Sequence, residues 1–86
     1  MKTILVIDDE ASLRLAVATT LQRHGYAVLD TALGAEGLSL ARAHQPDLIL
    51  SDINLPGMDG MEVLKQLRAC PEIAAIPVIL TDFFEG

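Results

Sequence analysis

Carboxylates follow two apolar runs of the sequence. Asp8 and Asp9 come directly after Thr3–Ile7, and the run at 48–50 leads to Asp52. If the two runs are neighbouring strands, these three carboxylates converge, and like charges at close range raise one another's pKa or bind a cation. Mg²⁺ prefers such oxygen ligands, whereas the sequence has no Cys/His cluster that would indicate zinc.

A hydroxyl group follows a third apolar run. A strand predicted at residues 76–81 ends in Thr81, which should lie at the same edge of the sheet as the acids. A metal site, a carboxylate nucleophile and a hydrogen-bond donor together describe phosphoryl transfer to Asp52, which would form an acyl phosphate. The simpler interpretation is that Asp52 only begins the turn before Pro56-Gly57.

Composition limits the class of protein. The chain has 86 residues, 51% hydrophobic content and a mean hydropathy of +0.41, which indicates one small globular domain over residues 1–86. The net charge of -6 argues against direct binding of nucleic acid or an anionic membrane by this segment. A single cysteine, Cys70, fits the reducing cytoplasm, and we find neither a signal peptide nor an apolar stretch of membrane-spanning length.

Predicted strands and helices alternate along the chain. The strands lie at 3–7, 26–31, 48–52 and 76–81, and the helices at about 11–24, about 35–44 and from Asp59 to the residues before Cys70. This alternation is typical of an α/β fold with a parallel sheet, in which ligands bind at the carboxyl ends of strands. The third strand does not alternate and should be covered on both faces, whereas the second suits a sheet edge.

Local signals predict how the helices begin and end. Gly25 stops the first helix, and Pro46 ends the second and favours an extended Gln45. Asp59 caps the third helix, with Glu62 reaching back in a capping box. We prefer this capping role for Asp59 to a role in metal binding.

Taken together, these motifs resemble the receiver domain of two-component response regulators. The resemblance runs through Ile-Leu-Val-Ile-Asp-Asp-Glu at 4–10, Pro-Asp-Leu-Ile-Leu-Ser-Asp at 46–52, Leu-Pro-Gly-Met-Asp-Gly at 55–60 and Pro-Val-Ile-Leu-Thr at 77–81. It covers essentially the whole chain. It implies a flavodoxin-like, doubly wound parallel sheet with strands one to four in the order 2-1-3-4. The final strand and helices of the family would be missing, so we expect residues 1–86 to be a receiver domain that is incomplete at its C-terminus.

The resemblance also implies a role for each site residue. Asp52 would be the phosphoacceptor, and Mg²⁺ would be held by Asp8, Asp9, Asp52 and the backbone carbonyl of Asn54. Thr81 would bind the phosphoryl group and reorient on activation. A sensor histidine kinase or phosphotransfer protein would supply that group, and phosphorylation would change partner binding. Such a domain is not an enzyme beyond its own phosphorylation and dephosphorylation.

The sequence departs from the family pattern in two places. Asp82 follows Thr81 where receivers have a small residue, and the sequence has no counterpart of the Lys that ends the family's fifth strand. Because an apolar fourth strand without a further neighbour exposes a sheet edge, we expect self-association through strand four, an exchange of elements between protomers, or partial disorder near Phe83-Phe84.

Two alternatives stay open. One is an interaction module of receiver fold that is never phosphorylated, which the missing Lys favours. The other is a Mg²⁺-dependent phosphohydrolase with an Asp nucleophile, although Asp8-Asp9-Glu10 lacks the Asp-x-Asp spacing of the haloacid-dehalogenase type. Dinucleotide binding is poorly supported, because no Gly-x-Gly-x-x-Gly follows the first strand. Reaction with a small phosphodonor, with and without Mg²⁺, separates these functions.

Overall fold

A parallel four-stranded sheet forms the centre of the computed structural model, which describes residues 1–81; Asp82 and Phe83-Phe84 lie outside the described residues. The strands are β1 (Thr3–Ile7), β2 (Ala27–Thr31), β3 (Leu48–Asp52) and β4 (Val78–Thr81), and the helices are α1 (Ala11–Arg23), α2 (Gly34–His44) and α3 (Gly60–Ala69). The strand order is β2-β1-β3-β4, with every pair parallel. This confirms the predicted flavodoxin-like α/β sheet and the edge position of β2.

One face of the sheet carries the main hydrophobic core. Nine buried side chains form it, from β1, β3, α2, α3 and the segments around α3: Leu5, Ile7, Leu38, Ala41, Ile49, Leu55, Val63, Leu67 and Ile73. Burying a Val, Leu or Ile side chain contributes about 1.5–3 kcal/mol. The core therefore fixes β1 and β3, the two strands that lead to the acidic residues.

The opposite face is less completely covered. Side chains alternate between the faces of a strand, so Leu50 and Ile79 lie opposite the core-facing Ile49 and Val78. Leu50 is half-buried and Ile79 is 51% exposed, because α1 packs mainly against β1 and β2. For residues 1–81, one face of β3 is buried and the other is only partly covered, so the prediction that both faces are covered is confirmed in part.

The end of α2 differs from the prediction. Gln45 is left-handed, with φ 47° and ψ 64°, so the extended conformation expected before Pro46 is wrong. Its backbone N–H donates to the carbonyl oxygen of Ala41 at 2.8 Å. This bond satisfies a carbonyl at the helix end, which outweighs the local preference of a residue before proline.

The start of α3 agrees with the prediction in part. The carboxylate of Asp59 accepts a hydrogen bond from the backbone N–H of Glu62 at 2.8 Å, which confirms the cap. The carboxylate of Glu62 does not complete a capping box, because it accepts from the side chain of Gln66 at 3.1 Å, one turn further along the helix. Among the described helices, none has the length and apolarity needed to cross a membrane.

Candidate functional site

The strand register brings three strand ends to one edge of the sheet. Ile7, the residue before Asp8, pairs with Ser51, the residue before Asp52. Asp52 in turn pairs with Thr81 on β4. Since the strands are parallel, β1, β3 and β4 all end at the same edge of the sheet. The prediction that Asp8, Asp52 and Thr81 lie on neighbouring strand ends is confirmed.

Asp8, Asp9 and Asp52 form an acidic cluster at this edge. One carboxylate oxygen from each residue lies within 4.8 Å of the other two, so the predicted convergence is confirmed. Mg²⁺ binds oxygen ligands at about 2.1 Å, which separates opposite ligands by about 4.2 Å. Small rotations of these side chains therefore bring three oxygens to one ion, and this oxygen-only set fits a hard divalent cation.

Burial and charge act together on Asp8. Its residue is only 3% exposed, and this burial raises the pKa of the Asp8 carboxyl above its usual range. The N–H of Glu10 donates to Oδ1 at 2.8 Å and opposes this shift, while the negative charges of Asp52 and Asp9 add to it. A cation bound in the cluster would stabilise the ionised carboxylate and reduce the repulsion among the three acids.

Asp52 is half-buried and is held by the loop that follows it. Its Oδ1 accepts a hydrogen bond from the backbone N–H of Asn54 at 3.1 Å. This contact orients the carboxylate, and the coordination of a metal by the carbonyl of Asn54 stays a prediction. Partial exposure leaves Asp52 accessible to a reactant from solution, unlike the buried Asp8.

Thr81 lies beside Asp52, and its hydroxyl is bonded to the backbone. Oγ1 of Thr81 donates to the carbonyl oxygen of Ser51 at 3.3 Å, and the carbonyl of Thr81 accepts from the N–H of Ile53 at 2.9 Å. The hydroxyl must therefore turn away from Ser51 to reach a group attached to Asp52.

A glycine lets α3 begin directly against the site. The N–H of Gly60 donates to the carbonyl oxygen of Ile53 at 2.7 Å. A Cβ atom at this position would lie 2.8 Å from Cα of Ile53 and even closer to the carbonyl oxygen of Asp52. Both neighbours are backbone atoms that cannot rotate away. Only glycine therefore allows the start of α3 to lie this close to the backbone of Asp52, the candidate phosphoacceptor.

Arg14 is a site residue that the sequence analysis missed. Its Nη1 donates to the carbonyl oxygen of Asp8 at 2.7 Å, and its Nε donates to Oδ1 of Asp30 on β2 at 3.2 Å. A signal was present in the sequence. The helix dipole disfavours a cation near a helix N-terminus, so a basic residue in the first turns of α1 is one for which a compensating acceptor is worth seeking.

Comparison with known proteins identifies related sequences. A family model described as the response regulator receiver domain matches residues 4–82. Protein PilH of Pseudomonas aeruginosa is 39% identical over 80 residues, which are 93% of this chain and 66% of that protein. Polar-differentiation response regulator DivK of Brucella ovis is 39% identical over 83 residues, which are 96% of this chain and 68% of that protein. The chain thus spans about two thirds of the length of these relatives.

Solved structures show the same fold. Chemotaxis response regulator CheY4 of Vibrio cholerae matches with a TM-score of 0.89 and 38% identity, over 93% of this chain and 67% of that one. The N-terminal domain of a response regulator receiver protein from Methanoculleus marisnigri matches with a TM-score of 0.90 and 38% identity, over 93% and 65% of the two chains.

Proposed function

Because the chain belongs to the response regulator receiver family, we propose that it accepts a phosphoryl group on Asp52 and thereby changes its choice of partner. The donor would be a sensor histidine kinase or a phosphotransfer protein. The observation that carries this proposal is the convergence of Asp52 with Asp8 and Asp9, whose oxygens lie within 4.8 Å of one another. The domain acts in the cytoplasm, where a free thiol such as Cys70 stays reduced.

The site residues share the tasks of the proposed reaction. An oxygen of Asp52 attacks the phosphorus atom, the bond from phosphorus to the donor breaks, and its electron pair leaves with the donor. Mg²⁺, held by Asp8, Asp9, Asp52 and the carbonyl of Asn54, would neutralise charge on the phosphoryl oxygens.

Two further contacts orient the nucleophile and the product. The N–H of Asn54 holds the Asp52 carboxylate in position at 3.1 Å. After transfer, the hydroxyl of Thr81 leaves the carbonyl of Ser51 and donates to a phosphoryl oxygen. By analogy with the receiver family, we expect it to catalyse at most its own phosphorylation and dephosphorylation.

Treatment with acetyl phosphate tests this function. We expect a Mg²⁺-dependent increase in mass on the peptide that contains Asp52, and no modification of the Asp52→Asn variant. Asp59→Asn is the matched control, because it removes one carboxylate from the adjoining helix cap and should still be modified. A modified peptide that contains Asp8 or Asp59 instead would refute the assignment.

The same experiment separates the two alternatives. Continuous consumption of acetyl phosphate without a stable adduct would indicate a phosphohydrolase. A folded protein that is never modified would indicate an interaction module. Modification at an equal rate without Mg²⁺ would contradict the metal role of the acidic cluster.

A further inference from the structure

The side chain of Arg14 connects three elements next to the acidic cluster. It begins in the first turns of α1, donates from Nη1 to the carbonyl oxygen of Asp8 at the end of β1, and donates from Nε to Asp30 on β2. The Arg14 side chain is 22% exposed and that of Asp30 is 45% exposed. A guanidinium group presents its donors in one fixed plane and so holds two such acceptors in a defined geometry, whereas a lysine ammonium is a compact charge with rotatable donors on a flexible stem.

Backbone contacts fix the peptide groups on both sides of Asp8. The N–H of Asp8 donates to the carbonyl oxygen of Thr31 at 3.0 Å, and the carbonyl of Asp8 accepts from Arg14 at 2.7 Å. Since the peptide group is planar, the position of this carbonyl oxygen determines where Cα of Asp9 lies. Arg14 therefore sets the starting point of the Asp9 side chain, which is itself exposed to solvent.

Arg14 affects cation binding in two opposite ways. Its positive charge, held against the Asp8 carbonyl oxygen, opposes the binding of a second cation, whereas its hydrogen bond keeps the backbone at Asp8 and Asp9 in place for that cation. We propose that the second effect dominates and that Arg14 is a positioning residue, which presents the carboxylate of Asp9 to a divalent cation. This inference rests on the proposed function, because it assumes that the acidic cluster binds Mg²⁺.

The sign of one affinity change separates the two effects. If Arg14 acts by positioning, Arg14→Met weakens Mg²⁺ binding, and we expect a dissociation constant about 10-fold higher, as found when groups that orient metal ligands are removed. Arg14→Lys keeps the charge but loses the double contact, so it should also bind more weakly. If Arg14 acted only through its charge, Arg14→Met would bind Mg²⁺ more tightly and Arg14→Lys would resemble the wild type.

Variants of the partner residue provide an independent test. Asp30→Ala removes the acceptor of Nε, whereas Asp30→Asn keeps an acceptor oxygen and removes only the charge. We expect Asp30→Ala to weaken Mg²⁺ binding more than Asp30→Asn does, and equal losses would contradict positioning. Arg23→Met is the matched control, because Arg23 is an exposed arginine at the far end of α1 and its loss changes the net charge equally.

Hydrogen exchange in the metal-free protein gives a measurement that does not depend on Mg²⁺. The N–H of Glu10, bonded to Asp8, should exchange faster in Arg14→Met, while the N–H of the buried Ile49 should keep its rate. Equal acceleration at both amides would indicate a general loss of stability and would refute the positioning role. If the wild type binds no Mg²⁺, the metal role in the proposed function is refuted, and so is the role of Arg14 in cation binding. The exchange rate at Glu10 still shows whether Arg14 holds the backbone after β1 in place.

Discussion

Replacing Asp8 by Asn should stabilise the metal-free protein and weaken its binding of Mg²⁺. The Asp8 carboxyl is buried, and its pKa is raised, first by that burial and then by the charges of Asp52 and Asp9. An asparagine removes the charge but keeps an oxygen that can accept the N–H of Glu10. The substitution therefore relieves repulsion without leaving a backbone donor unpaired.

The distance between the carboxylates sets the repulsive part of this effect. Two like charges 4.8 Å apart repel by about 0.9 kcal/mol in water and by about 3.5 kcal/mol at an effective dielectric constant of about 20. Asp9 stays adjacent to Asp8 in the unfolded chain, so only the pair with Asp52 is specific to the fold. Because Asp52 is half-buried, we expect a stabilisation of about 1–2 kcal/mol, and about 1 kcal/mol raises Tm by roughly 4–8 °C in a domain of this size.

The pH dependence gives the prediction a second check. A carboxyl whose pKa is raised on folding favours the folded state below its unfolded pKa, near 3.8, and that contribution is lost as the pH rises through the folded pKa. The advantage of Asp8→Asn should therefore be small near pH 4 and grow towards neutral pH.

Urea denaturation in the presence of EDTA, from pH 4 to pH 8, measures this difference in the free energy of unfolding. Asp47→Asn is the matched control, because Asp47 accepts the N–H of Thr3 at the opposite edge of the sheet. A variant that is less stable than the wild type at pH 7, or an advantage that is independent of pH, would refute the electrostatic account of the cluster.

Two further predictions concern the loop after β3 and the edge of the sheet. Gly60→Ala should destabilise the protein by about 1–3 kcal/mol, because the added methyl group would clash with the backbone of Asp52 and Ile53. Thermal denaturation measures this loss, with Met61→Ala at an exposed neighbouring position as the control. Equal stability of the two variants would contradict the prediction. Among residues 1–81, β4 pairs only with β3, so we expect concentration-dependent self-association in sedimentation at micromolar concentration and its reduction in Ile79→Lys. A wild-type monomer would disprove this second prediction.

Much of the site could be predicted because strand ends in a parallel sheet follow from local sequence. The apolar run Thr3–Ile7 matches β1 residue for residue, and the acid that follows each run lies at the sheet edge. The cap at Asp59 was also predictable, because it depends on a contact three residues away. Such features need only the sequence of one element and the direction of its neighbour.

The features that could not be predicted from the sequence depend on contacts between distant elements. Arg14 bonds to Asp30, 16 residues away, and no helical pattern indicates that partner. The half-exposure of Leu50 depends on where α1 lies over the sheet, which the apolar character of β3 does not reveal. At Gln45, a local rule for residues before proline competed with a helix cap, and the cap prevailed.

Thr81 bonds to the residues on both sides of Asp52. Its hydroxyl donates to the carbonyl of Ser51, and its own carbonyl accepts from the N–H of Ile53. A displacement of the backbone at Asp52 therefore pulls on Thr81 through two bonds, one of them a side-chain contact of 3.3 Å that is weaker than the backbone contact of 2.9 Å. The hydroxyl of Thr81 can therefore leave Ser51 while the stronger backbone bond to Ile53 keeps β4 paired with β3.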